Sequence, residues 1–150
     1  MVIIDTDVLL LAFAFHNDQR QETNARFLQE VQADSPAITI YTLMELLGKL
    51  SFNLSAEQLD AWPSWLLDAY RLTVIWPAQP DTPLSTATFR DEIFTRPFAR
   101  MRAVNMPFMD SLILNLAERT PQAVCFVSWN ARHFRDKSTL PVFTPAQYLK

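Results

Sequence analysis

Acidic side chains standing just behind short apolar runs are the residues of this chain best suited to chemistry. Asp5 follows the run at 2–4, with Thr6 and Asp7 beside it. Glu45 stands one helical turn past the run at 37–41, and Asp110 falls in the first turn of a helix opened by Pro107. Asn130 follows the run at 123–127 by way of Ser128 and Trp129. Each has a structural reading of its own. Thr42-Leu43-Met44-Glu45 spells a capping box, with Glu45 reaching back to the Thr42 amide. Asp110 suits the positive end of a helix, Asn130 is an acceptable N-cap for 131–135, and Asp5 can end a strand in a turn. Taken together, those readings leave unexplained why the acids gather at one edge of a sheet. Carboxylates crowded into one cleft repel one another, which raises their pKa values and costs stability. A divalent cation relieves this, and oxygen donors without histidine or cysteine suit Mg²⁺ or Mn²⁺, which keep waters for exchange with substrate. Such a site lowers the pKa of a bound water, aligns it with a phosphodiester and steadies the charge on the leaving oxygen. The expected chemistry is metal-dependent phosphodiester hydrolysis.

The elements that must position these acids are short β-branched or apolar runs alternating with helical patterns. Strands are expected at 2–4, 37–41, 72–76, 123–127 and 142–143. Ala25, Phe27, Leu28 and Val31 recur at helical spacing, as do Leu43, Leu46, Leu47 and Leu50, and then Leu59, Trp62, Leu66 and Tyr70 after Ser55. Pro77, Pro80 and Pro83 mark a loop; helices are expected at 84–95 and 98–104, with Pro97 as a hinge or turn between them, and from Pro107 through Ala117. Strands alternating with helices imply a parallel sheet covered on both faces, with ligands beyond the carboxyl ends of its strands. With no repeat or linker, residues 1–150 read as one domain.

Composition narrows the function further. The chain has 1 glycine and 10 prolines in 150 residues. Gly48 alone cannot build a P-loop or a G-x-G-x-x-G turn, so any phosphate must be held by side chains or metal. The net charge of −3 conceals two opposed halves: residues 1–88 carry 4 basic and 11 acidic side chains, residues 89–150 carry 9 basic and 5 acidic. Ten of the 13 basic residues are arginine, whose planar fork suits phosphate. Cys125, the one cysteine, cannot form a disulfide framework or a cysteine metal cluster, and no run is long or apolar enough to export the chain or span a membrane, so a cytoplasmic location is expected.

Four segments in order carry a resemblance to a known family: Ile3-Ile4-Asp5-Thr6-Asp7-Val8-Leu9, the Thr42-x-x-Glu45 helix start, Pro107-Phe108-Met109-Asp110-Ser111-Leu112-Ile113, and Val127-Ser128-Trp129-Asn130-Ala131-Arg132-His133-Phe134. They look like the successive motifs of PIN-domain nucleases, most of all the VapC-like toxin ribonucleases, and the segment from Leu140 to Leu149 resembles that group's final strand and Thr-Pro helix start. The resemblance covers nearly the whole chain. It implies a three-layer α/β/α sandwich around a parallel sheet of about five strands, an Mg²⁺ or Mn²⁺ site, endonucleolytic RNA cleavage by metal-activated water, and a homodimer held by a VapB-like antitoxin. Asp5, Glu45 and Asp110 match the family's three main acidic ligands, with Asn130 as a fourth ligand and catalytic position. Many members carry aspartate where Asn130 stands, and a nearby aspartate where this chain has His133. Asn130 adds no negative charge, so a second metal position is expected to be weak. Asp7 either caps the first helix or partly replaces that charge, and the cap is favoured. Thr6, Ser128 and His133 complete the surroundings.

Arg96, Arg100 and Arg102 lead toward Asp110, and Arg132 and Arg135 flank Asn130. Bordering the acidic cleft, they would form a cationic rim for an RNA backbone, Arg102 and Arg132 above all, against the alternative of a solvated helix face. Trp129 stacks a base or, by default, packs. His16 reads as a surface or helix-end residue. The stretch from Phe52 to Trp76 holds more apolar surface than one sandwich face needs, and the resemblance assigns part of it to dimer and antitoxin contacts. Two other readings compete. One is a catalytically weak or inactive PIN-like module that binds RNA or a protein partner. The other is a haloacid-dehalogenase-like phosphatase, suggested by Asp5-Thr6-Asp7 but lacking an acidic pair near residue 110.

Overall fold

The computed structural model describes residues 1–78 and 83–150, so the expected loop proline Pro80 lies outside the described residues. Strands β1 (Val2–Ile4), β2 (Pro36–Thr39), β3 (Thr73–Ile75), β4 (Cys125–Val127) and β5 (Val142–Phe143) form one parallel sheet in the order β3-β2-β1-β4-β5. Three residues of β1 show why both faces must be covered. Val2 and Ile4 point into one apolar cluster with Val8, Leu9, Phe27, Leu28, Leu46 and Leu66, while Ile3 points into a second with Ile113, Leu114, Phe126 and Phe134. Helices α1 (Thr6–Ala14), α2 (Gln21–Glu30), α4 (Ala56–Tyr70) and α9 (Pro145–Tyr148) supply the first layer. The opposite layer centres on α7 (Phe108–Glu118) and α8 (Ala131–Phe134), and α3 (Ile40–Leu50) gives Leu46 to the first cluster and Tyr41 to the second.

Two boundaries depart from the sequence reading for local reasons. The second strand stops at Thr39, not Tyr41, because the Thr39 hydroxyl accepts the backbone N–H of Thr42 at 3.0 Å and so caps α3. Thr42 is therefore inside the helix, and no capping box forms between it and Glu45. The second departure surrounds Pro97. Helix α5 (Thr86–Arg90), a π-helical turn (Asp91–Thr95) and α6 (Arg96–Val104) run on without the expected break, the wider turn accommodating a residue that has no N–H to donate. The π turn also carries Glu92 inward to 5% exposure, where Tyr41 Oη donates to it at 2.9 Å and Arg119 pairs with it. The expected buried-sheet strands at 72–76 and 123–127 shorten to three residues each, their ends being loop.

Glycine is absent from the places that usually call for it. Ser35, Arg71 and Asn105 adopt φ of 53°, 52° and 50°, left-handed backbone that closes helices and that glycine ordinarily takes.

Candidate active site

Strand order reverses between β1 and β4, since β2 lies to one side of β1 and β4 to the other. In sheets of this kind ligands bind in the crevice outside the carboxyl ends of the two strands at which the order reverses, here β1 and β4. Asp5 lies there, its backbone N–H bound to Val127 O at 2.9 Å as the last rung of the ladder. Its carboxylate, 7% exposed, accepts the N–H of Thr6 at 2.8 Å and caps α1. Because Asp5 already holds that role, Asp7 is not the cap that the sequence suggested. Asp7 instead reaches from the first turn of α1 across to the loop after β4. Ser128 Oγ, Trp129 N and Asn130 N all donate to its carboxylate, at 3.0, 3.1 and 2.9 Å. A carboxylate nested by three donors fixes the backbone on which Asn130 sits.

Between the two neighbours, Thr6 is buried and its hydroxyl donates to Glu45 Oε2 at 2.6 Å, tying α1 to α3. The other Glu45 oxygen meets Lys49 Nζ at 2.8 Å, one helical turn on. Asp110 lies in the first turn of α7 as expected, and His133 Nε2 stands 3.3 Å from its Oδ2. That approach is not aligned as a hydrogen bond, and the buried Nε2 has no other partner among the described residues. Asn130 occupies the N-cap position of α8 without making a side-chain cap bond, and it is exposed.

The acids share one electrostatic field. Burial pushes Asp5 well above the usual carboxylate range, and Asp7 and Asp110 add to the shift against the hydrogen bond from the Thr6 N–H. Burial also raises Asp7, opposed by its three donors and by Arg20. Asp110 is raised by burial and by Glu45 and Asp7, with His133 and Lys49 pulling the other way. Negative charge at this crevice is thus incompletely compensated. No three His, Cys, Asp or Glu side chains close into a ready cage for an ion among the described residues. The donor chemistry nevertheless fits a hard divalent cation: Asp5, Glu45 and Asp110 offer anionic oxygens, Asn130 an amide oxygen, and a cation there would answer the repulsion the carboxyl groups now register.

The arginines divide. Arg100 is only 17% exposed and pairs with Glu118 while donating to Lys137 O at 3.1 Å, so it is a packing residue and leaves the expected rim. Arg96 pairs with Asp91 at 2.5 Å. Arg102 is exposed and lies over the Phe98 ring, 5.7 Å from its centroid; Arg132 is exposed on α8. Arg135 donates to Val142 O at 3.3 Å and pairs with Gln147. Trp129 packs, its Nε1 donating to buried Asn24 at 2.7 Å. Arg20, which the sequence did not single out, covers that ring at 5.4 Å while held by Asp18. Lys49 was missed as a site residue, although its i,i+4 spacing from Glu45 signalled the pair. No sequence signal pointed to Arg20, because its neighbour Trp129 is 109 positions away. His16 lies exposed in the turn after α1.

No protein-family model matches the sequence, and no curated protein matches it. Among solved structures, the chain is similar to one in the crystal structure of VapBC2 from Rickettsia felis bound to a DNA fragment from their promoter, with a TM-score of 0.66 and 20% identity over 96% of this chain and 98% of that one. The chain has a PIN-like α/β/α fold. In this fold the parallel sheet of five strands and its two covered faces are those the sequence implied, and Thr6 contacts Glu45, whose charge acts on Asp110. No helix among the described residues is long and apolar enough to cross a membrane.

Proposed function

We propose that the protein is a metal-dependent endoribonuclease of the VapC-like toxin type, hydrolysing RNA phosphodiester bonds. The observation that carries this is that Asp5 at the start of α1, Glu45 midway along α3 and Asp110 in the first turn of α7 share one electrostatic field, where burial and mutual repulsion hold Asp5 and Asp110 above the ordinary carboxylate range. Asp5, Glu45 and Asp110 would hold Mg²⁺ or Mn²⁺, with the Asn130 amide oxygen as an uncharged fourth donor. When bound, the cation supplies charge for the phosphodiester and acidifies water for the attack. The chain's own residues set the geometry. Thr6 aims Glu45 by its hydroxyl, and Asp7 holds the 128–130 backbone. Arg102 and Arg132 are the exposed guanidinium groups offered to the RNA backbone.

The similar solved structure is of a VapBC2 assembly, which supports a VapB-like antitoxin as partner; a homodimer of this chain belongs to the same proposal. The exposed Trp65, grouped with Phe13, Trp62 and Tyr70 on α1 and α4, is the apolar surface this reading gives to those contacts. The deciding experiment incubates structured and unstructured RNAs with the protein and Mg²⁺ or Mn²⁺, against Asp110→Asn and Glu45→Gln controls. Metal-dependent cleavage lost in both variants is expected. Folded protein that cuts none of the RNAs with either metal, or Asp110→Asn cutting as well as wild type, overturns the proposal.

A second reading, an RNA- or protein-binding module without cleavage, draws on Lys49 and His133 standing against two of the acids and on the neutral Asn130. The same assay separates it, since such a module binds RNA and leaves it intact.

A further inference from the structure

Lys49 is the least expected group at the crevice. Its ammonium stands 2.8 Å from Glu45 Oε1, on the side of the carboxylate that Thr6 leaves free, since Thr6 donates to Oε2. Its charge also reaches Asp110, the acid on α7. The stem is half exposed, at 48%, so the head group has room to swing, while Glu45 at 21% is held in place by the Thr6 hydroxyl. Any cation taken up by Glu45 and Asp110 must compete with an ammonium already in contact with Glu45 and acting by its charge on Asp110. A displaced ammonium at the lip of the crevice then lacks a partner, and a phosphodiester arriving at the same place supplies one.

We infer that Lys49 is an exchangeable counter-ion of the crevice, one that gives up Glu45 when a divalent cation binds and transfers its contact to the phosphate of the RNA backbone. It rests on the metal and RNA reading given above. Its consequence is linkage: displacing Lys49 is a cost on metal binding that RNA offsets, so each ligand tightens the other, and by the same factor. The arrangement makes the metal site weak until substrate is present.

The test compares wild type with Lys49→Met, which keeps the length of the stem, and Lys49→Arg, which restores the charge. Mn²⁺ binding to each protein is measured by calorimetry without RNA. Binding of a fluorescein-labelled uridine decamer is measured by anisotropy with and without Ca²⁺, which holds the chemistry back. Lys49→Met is expected to bind Mn²⁺ about three- to tenfold more tightly than wild type, a direction that damage to the fold would not produce. Its decamer affinity should rise less on adding Ca²⁺ than that of wild type, and Lys49→Arg should recover the wild-type pattern. Mn²⁺ binding that is unchanged or weaker in Lys49→Met overturns the inference alone. Lys49→Met that binds Mn²⁺ where wild type does not supports it. Absence of Mn²⁺ binding in both proteins overturns the metal reading together with this inference, whereas metal binding without RNA cleavage removes only the nuclease activity.

Discussion

The Asp7 carboxylate accepts the backbone N–H of Asn130 at 2.9 Å, joining the first turn of α1 to the loop after β4 across 123 positions of sequence. The N–H of Trp129 and the hydroxyl of Ser128 complete the nest. Replacing Asp7 by alanine would leave these donors without an acceptor beneath a half-buried loop. A loss of about 2–4 kcal/mol is expected, measured by urea unfolding, with Asp7→Asn recovering part of it. If Asp7 were a surface helix cap, the cost would be only about 1 kcal/mol, and a value that small would count against the nest.

Asp5, Asp7 and Asp110 all lie above their usual value of 3.8 because burial disfavours the charged form. Between the unfolded and the folded pKa the native chain binds more protons than the unfolded one. Stability without metal therefore falls as pH rises upward from about 3.8 through the folded values, and it is greatest, as far as these groups decide, on the acid side. A divalent cation stabilises the ionised form and opposes this trend. Melting temperatures should thus rise more on adding Mn²⁺ at pH 8 than at pH 5, and equal shifts at both would argue against carboxylate ligation.

Arg100 and Arg132 should behave in opposite ways. Arg100→Met breaks a partly buried ion pair with Glu118 and a bond to Lys137 O, and is expected to lower stability by roughly 2–3 kcal/mol. Arg132→Ala, on an exposed position, should leave unfolding unchanged while lowering the salt slope of RNA binding by about 1. Reduced RNA affinity from Arg100→Met in fully folded protein, together with none from Arg132→Ala, would reverse this division.

The scarcity of glycine leaves stability unused. A Cβ added at Gly48 meets nothing within 4 Å, and its φ is not positive, so Gly48→Ala in the last turn of α3 is expected to stabilise by about 0.5–1 kcal/mol. Arg71 closes α4 in left-handed backbone, and Arg71→Gly should gain roughly 0.5–1 kcal/mol by relieving it. Thermal unfolding of the two variants checks both signs.

The sequence by itself determined the alternation of strands with helices, the acids that come after β1 and β2, and the acid in the first turn of the proline-opened α7. Apolar periodicity fixes which segments bury, and a parallel sheet covered on both faces places strand ends at one edge, so Asp5, Glu45 and Asp110 could be grouped without coordinates. Only tertiary structure decided what each polar group does. The capping box read at Thr42 and Glu45 disappeared because Thr39, three residues earlier, won the competition for the N–H of Thr42, which freed Glu45 to meet Thr6 and Lys49. Asp7 proved to serve a loop 121–123 positions away, and Arg100 a carboxylate on α7, since hydrogen bonds and ion pairs are made to whatever lies within about 3 Å after folding. Periodicity records which face of an element is buried; it carries no record of which distant side chain arrives there.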